Sequence, residues 1–288
     1  MLGRAIHSAL TGGGGQVIQL VRRESSSQKE LRWDIGAVPP IAQPEMLEGA
    51  TAAIHLSGSS VAGRRWTPAY KQEMVDSRVN STRALATTLS GLRQPPKVLL
   101  VASAIGFYGS RGDEILDEDC PAGTGFGAAM CQAWEAAAKP AVDAGIRVVN
   151  LRFGVVLGPG EGAMAQMVPP FRIGLGGRLG SGRQWMSWIG LADTVAAVQF
   201  VMENPKLAGP VNVTSPNPAT NAEFTRALAR QLKRPALFPV PEFAVRVMFG
   251  QISREVLLAS LRVVPRKLLD TGFRFMHPAI DEALREAL

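Results

Sequence analysis

The sequence is poor in the residues that build disulfide frameworks and metal centres. Its 288 residues include two cysteines, Cys120 and Cys131, and three histidines, and these side chains follow no metal-ligand spacing. Two cysteines cannot form the framework of disulfides that holds small secreted proteins together. We therefore expect neither a disulfide scaffold nor a metal centre.

Long apolar runs and export signals are also missing. The longest apolar run, residues 98–108, covers about half of the length that crosses a bilayer, so it predicts a buried strand. The first residues show no basic segment followed by an apolar stretch and a cleavage site. These absences predict a cytoplasmic protein without a membrane partner.

Acidic residues are fewer than basic ones. The chain has 24 Asp and Glu against 31 Lys and Arg, which gives a net charge of +7. The cations are scattered and are not interleaved with aromatic residues, so we expect no nucleic-acid partner. We interpret the positive charge as an attraction for phosphorylated ligands.

The sequence does contain a regular alternation of strand and helix patterns. It predicts an α/β protein with a doubly wound parallel sheet covered by helices on both faces. After about residue 215, helices and proline-rich connections predominate, so we divide the chain into residues 1–215 and a smaller α-rich part, residues 216–288. Strands are predicted at 16–22, 30–33, 52–57, 97–104, 146–152 and 210–214, and helices at 3–11, 67–92, 126–144, 191–203, 220–232 and 242–260.

The first 23 residues resemble the second half of a dinucleotide-binding βαβ unit. Gly12 to Gly15 follow the predicted helix, where glycine caps and turns the chain, so we do not interpret them as a phosphate loop. Gly3, in the first turn of that helix, is the glycine at the phosphate position. Arg22 and Arg23 end the next strand, where arginine suits the 2′-phosphate of NADP. A solvated basic turn is the alternative interpretation of these two arginines.

Small residues lie at the ends of two later predicted strands, at the edge where α/β proteins bind ligands. The strand at 52–57 leads into Ser57 and Gly58, and a glycine backbone allows close approach of a ligand. The central strand at 97–104 ends in Ser103 and Ala104, and Tyr108 follows shortly after. These positions are candidates for a binding and reaction site.

Together these features resemble the extended short-chain dehydrogenase/reductases of the NAD-dependent epimerase/dehydratase type. The similarity is greatest to an atypical epimerase-like subgroup, some of whose members are labelled cell-division-inhibitor-like. It covers essentially the whole chain, including a family-specific segment at about 238–286. The motifs that carry it are Arg65-Trp-Thr with Ser77-Arg78, Gly112-Asp-Glu-Ile-Leu, Trp134-Glu135 and Gly180-Ser-Gly-Arg-Gln-Trp.

The resemblance implies a Rossmann-like fold with a small α-rich C-terminal part. It also implies a nicotinamide cofactor, NADP in preference to NAD. The cofactor-binding positions that follow from it are Gly3, Arg22, Arg23, Leu56, Ser57, Gly58, Glu73, Arg78 and Ala104.

The superfamily's Tyr-x-x-x-Lys pair, which moves the proton during hydride transfer, is absent. Both tyrosines, Tyr70 and Tyr108, lack a lysine four positions later, and the helix that should carry the pair begins with Phe126. The serine of that site falls on Ser103 or Ala104, depending on a one-residue choice of register. Ser103 and Tyr108 are therefore the catalytic candidates, and the resemblance leaves their roles open. Asp113, Glu114 and Cys131 lie near Tyr108 in the sequence and could also take part, although each has a purely structural interpretation.

Relatives of this type begin with an apolar strand and a Gly-x-x-Gly-x-x-Gly turn, and Gly3 corresponds to the last glycine of that turn. The strand is central in a doubly wound sheet, so we expect a sheet that lacks its first, central strand. The hypothesis that follows is an N-terminally truncated chain, with Met1 an internal methionine of a longer protein. Because the phosphate turn is absent from this sequence, we also expect weak dinucleotide binding.

The leading interpretation is an NAD(P)-binding oxidoreductase or epimerase whose small-molecule substrate is unknown. Two alternatives remain open. One is a non-catalytic NADP-binding regulator connected with cell division, and the other is an inactive truncated product. A homodimer is one assembly that we consider.

Overall fold

The computed structural model describes residues 1–288, and its centre is a parallel sheet with helices on both faces. The strands are β1 (Gln19–Val21), β2 (Glu30–Arg32), β3 (Ala52–His55), β4 (Val98–Ala104), β5 (Ile115–Leu116), β6 (Arg147–Phe153), β7 (Val155–Leu157), β8 (Trp185–Met186), β9 (Trp188–Gly190), β10 (Gly209–Val213), β11 (Ala219–Thr220) and β12 (Arg262–Val263). The helices are α1 (Leu2–Gly12), α2 (Pro68–Ser90), α3 (Phe126–Ala136), α4 (Lys139–Asp143), α5 (Gly162–Arg172), α6 (Leu191–Glu203), α7 (Asn221–Leu232), α8 (Glu242–Phe249), α9 (Arg266–Asp270) and α10 (Ile280–Ala287).

Four strands form the main sheet, in the order β10-β6-β4-β3, and all of them are parallel. The central strand β4 carries the continuous run Val98–Ala102, which is buried on both faces, as a strand between two helical layers requires. On one face, α1 and α6 pack through Ile6 and Val198. On the other, α2 and α3 pack through Leu85 and Trp134. The predicted α/β class is confirmed.

Strands β1 and β2 form a separate two-stranded parallel sheet. Leu20 and Leu31 of these strands pack into the same core as Ala53 of β3, so the two sheets lie side by side. However, β1 pairs only with β2, and β3 pairs only with β4. Each of the facing edges therefore keeps backbone groups without ladder partners, as expected for a sheet without its central strand.

The C-terminal residues do not stand apart from the rest of the chain. Strand β12 pairs with β5, α9 packs against β10, and α10 packs against β9 and β7. None of the helices is long and apolar enough to cross a membrane.

Several predicted elements differ in extent. The helix predicted at 242–260 ends at Phe249 because Gly250 has a φ of 58°, and a π-helical turn follows at Ser253–Leu257. The helix predicted at 126–144 is divided into α3 and α4. Helix α5 was not predicted, since Pro169 and Pro170 within it argue against a helix, but it packs against β7 and α7.

Candidate functional site

The first turn of α1 lies beside the turn that follows β3. A Cβ atom placed on Gly3 would lie 3.9 Å from Leu56 Cδ1. The backbone N–H groups of a first helical turn have no partner within the helix and, with the helix dipole, attract an anion. Arg4, in the same turn, pairs with the Glu161 carboxylate. The beginning of α1 is therefore a place where negative charge is stabilised.

The two arginines that end β1 differ in their surroundings. Arg23 donates to both carboxylate oxygens of Glu30, at 2.6 and 2.9 Å, and its hydrogen bond lowers the pKa of Glu30 to about 2. Arg22 is exposed and forms no ion pair. The guanidinium of Arg22 is thus free to meet a ligand, whereas that of Arg23 holds the connection between β1 and β2.

Three side chains of α2 hold the turn at residues 57–60, which follows β3. The Ser59 N–H donates to Ser77 Oγ at 3.0 Å, and the Ser59 hydroxyl donates to Glu73 at 3.1 Å. Arg78 donates to the Ser59 carbonyl at 2.9 Å and to the Met74 carbonyl at 3.0 Å. Glu73 and Arg78 thus contact the turn itself and fix the course of its backbone.

Gly58 lies directly against the guanidinium of Arg78. A Cβ atom on Gly58 would be 3.0 Å from Arg78 Cζ, so a side chain here would displace the guanidinium or the turn. The guanidinium lies 4.9 Å from the centre of the Trp134 ring, and its burial lowers the pKa of Arg78. The Nε–H of Arg78 is buried without a hydrogen-bond partner. A buried cation with an unused donor beside this turn favours a ligand that brings acceptors or negative charge.

A buried ion pair lies where β4 and β6 end. Arg152 donates to both oxygens of Glu135, at 2.8 and 2.9 Å, and Ser103 donates to the same carboxylate at 2.7 Å. Arg152 also donates to the Tyr108 hydroxyl at 3.0 Å, and that hydroxyl donates to Asn212 Oδ1 at 2.8 Å. The Arg152 guanidinium is therefore bonded directly to Tyr108 and is linked to Ser103 through the Glu135 carboxylate.

Burial sets the ionisation of the groups around this pair. It raises the pKa of Tyr108, whose side chain is fully buried, to about 12. It also raises the pKa of Glu118, which accepts a hydrogen bond from the Asn212 N–H, and it raises the pKa of Cys131 to about 11. At neutral pH the Tyr108 hydroxyl and the Cys131 thiol are both protonated, so neither one supplies a base.

The start of α3 meets side chains from two distant parts of the chain. Phe126 lies with its ring centre 5.4 Å from Nζ of Lys71. Glu255, in the π-helical turn, accepts a hydrogen bond from the Gly127 N–H at 2.7 Å. Gln251 connects these groups, since it donates to Glu255 at 2.6 Å and accepts from Lys71 at 3.1 Å. An ammonium therefore lies over the Phe126 ring, and a carboxylate binds the backbone of the next residue.

The structure brings most of the predicted cofactor residues to one edge of the main sheet. Ser103 and Ala104 end the neighbouring strand β4, and the Ala104 carbonyl lies 3.7 Å from the Cys131 thiol. Arg22 and Arg23 end β1 in the smaller sheet. The residues grouped around the turn after β3 are Gly3, Leu56, Ser57, Gly58, Glu73 and Arg78.

Sequence reasoning did not assign a role to Glu135, Arg152 or Glu255. A signal for Arg152 existed, because it is a charged residue at the end of a predicted strand whose carboxyl end belongs to the ligand-binding edge of the sheet. Glu255 gave no local signal, since the residue that it contacts, Gly127, lies 128 positions away.

A parallel sheet whose first helix begins beside a glycine turn is typical of Rossmann-like nucleotide-binding proteins. Residues 1–214 match the model of the NAD dependent epimerase/dehydratase family. Residues 240–287 match a domain of unknown function, DUF1731. The chain belongs to the NAD dependent epimerase/dehydratase family, as the motifs indicated.

The curated relatives are named epimerase family proteins. The chain is 43% identical to epimerase family protein Mb2239 of Mycobacterium bovis, over 99% of this chain and 93% of the relative. It is 34% identical to epimerase family protein SDR39U1 of Homo sapiens, over 99% of this chain and 95% of the relative.

Solved structures agree with the fold. The human protein SDR39U1 (isoform 2), crystallised with NADPH, matches with a TM-score of 0.90 at 33% identity, over 100% of this chain and 95% of that one. A nucleoside-diphosphate sugar epimerase from Corynebacterium glutamicum matches with a TM-score of 0.83 at 33% identity, over 100% of this chain and 56% of that one.

Proposed function

We propose that the protein is an NADP(H)-dependent oxidoreductase or epimerase that acts on a small molecule. The observation that carries the proposal is the unpaired guanidinium of Arg22 at the end of β1. An arginine at this point of the fold recognises the 2′-phosphate that distinguishes NADP from NAD. The human relative that was crystallised with NADPH supports the same cofactor.

The residues around the turn after β3 fit a dinucleotide. Because Gly58 has no side chain, its backbone leaves a space that a Cβ atom would fill. The Nε–H of Arg78, which has no hydrogen-bond partner, lies beside this space. The backbone of Leu56, Ser57 and Gly58 would line the cofactor, and the start of α1 at Gly3 would face its diphosphate. When bound, the nicotinamide would supply the hydride chemistry of the reaction.

The residues that handle the proton differ from the superfamily pair. Phe126 has no ionisable group, so it cannot donate or accept the proton that the superfamily's tyrosine transfers. Ser103, near the end of β4, is the candidate proton-transfer residue, and the hydrogen bond to Glu135 orients its hydroxyl. Tyr108 is a positioning residue in this proposal, because Arg152 and Asn212 occupy its hydroxyl on both sides.

A non-catalytic NADP-binding regulator is the second candidate. The lack of an ionisable side chain at Phe126 favours it, and so does the Tyr108 hydroxyl, which is hydrogen-bonded to both Arg152 and Asn212. Mixing the protein with NADPH and a panel of carbonyl compounds and sugar nucleotides separates the two. Loss of the nicotinamide absorption band indicates a reductase. Conversion of a sugar nucleotide to its epimer, detected by chromatography with no net change in that band, indicates an epimerase. Binding of NADPH with neither change indicates a regulator.

The affinity ratio of NADPH to NADH tests the cofactor proposal. Arg22→Ala should lower this ratio about tenfold or more, since a hydrogen bond to a charged group contributes about 1.5–3 kcal/mol. Fluorescence titration gives both constants, and the ratio does not depend on how tightly the rest of the dinucleotide binds. Arg23→Ala is the matched control and should leave the ratio unchanged, because its guanidinium is occupied by Glu30. An unchanged ratio in Arg22→Ala would contradict the proposal.

A further inference from the structure

An exposed apolar surface, here called the α8 surface, lies on the C-terminal side of the molecule. It combines α8 with the loop before it and the loop after α5. Its members are large apolar side chains that a soluble protein normally buries, and Leu237 and Phe243 are 73% and 72% exposed. They are Ile173, Leu237, Phe238, Phe243, Val247 and Met248.

The two loops and the helix form one continuous surface. The Val240 N–H donates to the Arg178 carbonyl at 2.9 Å, and the Gly180 N–H donates to the Val240 carbonyl at 2.8 Å. Gly177 approaches the Phe238 carbonyl so closely that a Cβ atom would overlap with it. The loops therefore run side by side, and α8 begins directly after them at Glu242.

Helix α8 presents its apolar side chains to solvent. Val245 is its only buried residue, while Phe243 and Val247, one turn apart, are each 72% exposed. A surface helix of a soluble protein usually directs its apolar stripe towards the core. The outward stripe of α8 is typical of a helix that lies on a lipid surface.

Basic residues outnumber acidic ones around the α8 surface, although Arg230 pairs with Asp281 of α10 at 2.8 Å. Residues 172–184 and 226–250 contain eight Lys and Arg but a single acid, Glu242, which pairs with Arg246. An open depression of about 580 Å³ borders the loop before Leu237. The basic residues that line it are Arg226, Arg230, Lys233 and Arg234.

We propose that the α8 surface docks on an anionic lipid bilayer. In this arrangement the apolar side chains enter between the headgroups, and the basic depression meets lipid phosphates. Two copies of the chain would bring like charges together at this surface, which opposes self-association through it. Most of its apolar members are aliphatic, whereas single-stranded nucleic acids are held by stacking on aromatic rings. This proposal departs from the prediction of no membrane partner, which rested on the absence of a long apolar run, because docking on a bilayer needs no spanning segment.

Vesicle sedimentation of the whole chain tests the proposal. We expect co-sedimentation with phosphatidylcholine vesicles that contain phosphatidylglycerol, weak or no binding to pure phosphatidylcholine, and weaker binding at high salt. The double variant Phe238→Ser/Phe243→Ser should bind about tenfold or more weakly, since each side chain loses its apolar burial in the lipid. Lys233→Glu/Arg234→Glu should also reduce binding.

Val142→Ser is the matched control, because Val142 is an exposed apolar residue on α4, away from the α8 surface. Its binding should equal that of the parent protein, and circular dichroism verifies that every variant is folded. Three results would overturn the proposal. They are no binding to the anionic vesicles, parental binding by the Phe variant, and a concentration-dependent dimer that the Phe substitutions abolish.

Discussion

Arg152 and Glu135 form the most strongly buried ion pair of the chain. Neighbouring side chains make further polar contacts with both members of the pair. The Arg152 guanidinium lies 3.4 Å from the centre of the Phe107 ring in addition to its hydrogen bonds with Glu135 and Tyr108. Removing two charges from water is costly, so each member of such a pair depends on the other. The position of Ser103, which donates to the same carboxylate, therefore depends on an arginine that sequence reasoning did not assign to the site.

Replacing Arg152 tests this dependence. Arg152→Met leaves the Glu135 carboxylate buried without its cation, and we expect a loss of about 3–5 kcal/mol in the free energy of unfolding. Lys139→Met is the control, because Lys139 pairs with Asp143 on an exposed helical turn, where such a pair contributes about 0.3–0.5 kcal/mol. Urea unfolding measures both. A loss for Arg152→Met no larger than that for Lys139→Met would show that the pair does not stabilise the fold.

Among the elements, the turn between β3 and α2 is closely packed against the side chains of α2. Ser59 is tied to α2 by Ser77, Glu73 and Arg78, and Gly58 leaves no room for a side chain beside Arg78. Small displacements of a binding turn weaken the binding of a ligand, because the protein groups that contact the ligand must be held within about 0.5 Å of their productive positions. We therefore expect that a single methyl group added to this turn lowers the affinity for the cofactor.

Gly58→Ala provides that methyl group. We expect it to lower NADPH affinity by about fivefold, which corresponds to roughly 1 kcal/mol, because its Cβ would lie 3.0 Å from Arg78 Cζ. Gly12→Ala is a suitable control, since nothing lies within 4 Å of its Cβ position. Titration of both variants with NADPH checks the prediction. Equal affinities would mean that Arg78 adapts and that the turn does not need its glycine.

How much the sequence predicted differs between local and long-range features. The run Val98–Ala102 predicted a strand buried on both faces, and β4 confirms it, because burial on both sides leaves a continuous apolar pattern. Helix α5 was not predicted, because Pro169 and Pro170 outweigh its apolar periodicity in the sequence alone. The contact of Glu255 with Gly127 was also beyond prediction, since only tertiary packing brings these positions together.

At the scale of the whole molecule, the C-terminal segment completes the core around the candidate site. Strand β12 pairs with β5, and Glu255 holds the start of α3. The two regions that match separate family models, residues 1–214 and 240–287, are thus joined by backbone and side-chain hydrogen bonds. The cytoplasmic location, the homodimer and the division at residue 215 stay predictions.

The response of the fold to acid should depend on His55, at the end of β3. This side chain is buried, its Nε2 lies 3.0 Å from Ser81 Oγ, and its ring packs edge-on against Trp33. Burial lowers the pKa of His55 to about 4, from 6.5. The folded protein therefore keeps His55 neutral at a pH where the unfolded chain already binds a proton.

Because the unfolded state takes up this proton first, stability should fall as the pH is lowered from 6.5 to about 4. In that interval His55 contributes up to about 1.4 kcal/mol per pH unit to the slope of the unfolding free energy against pH, and above it this contribution vanishes. His55→Gln keeps a polar group near Ser81 but cannot titrate, so its unfolding free energy should decline less steeply. Urea unfolding of both proteins across this range measures the two slopes, and above pH 7 the two curves should run parallel. Equal slopes between pH 6.5 and 4 would show that His55 does not link the stability of the sheet to pH.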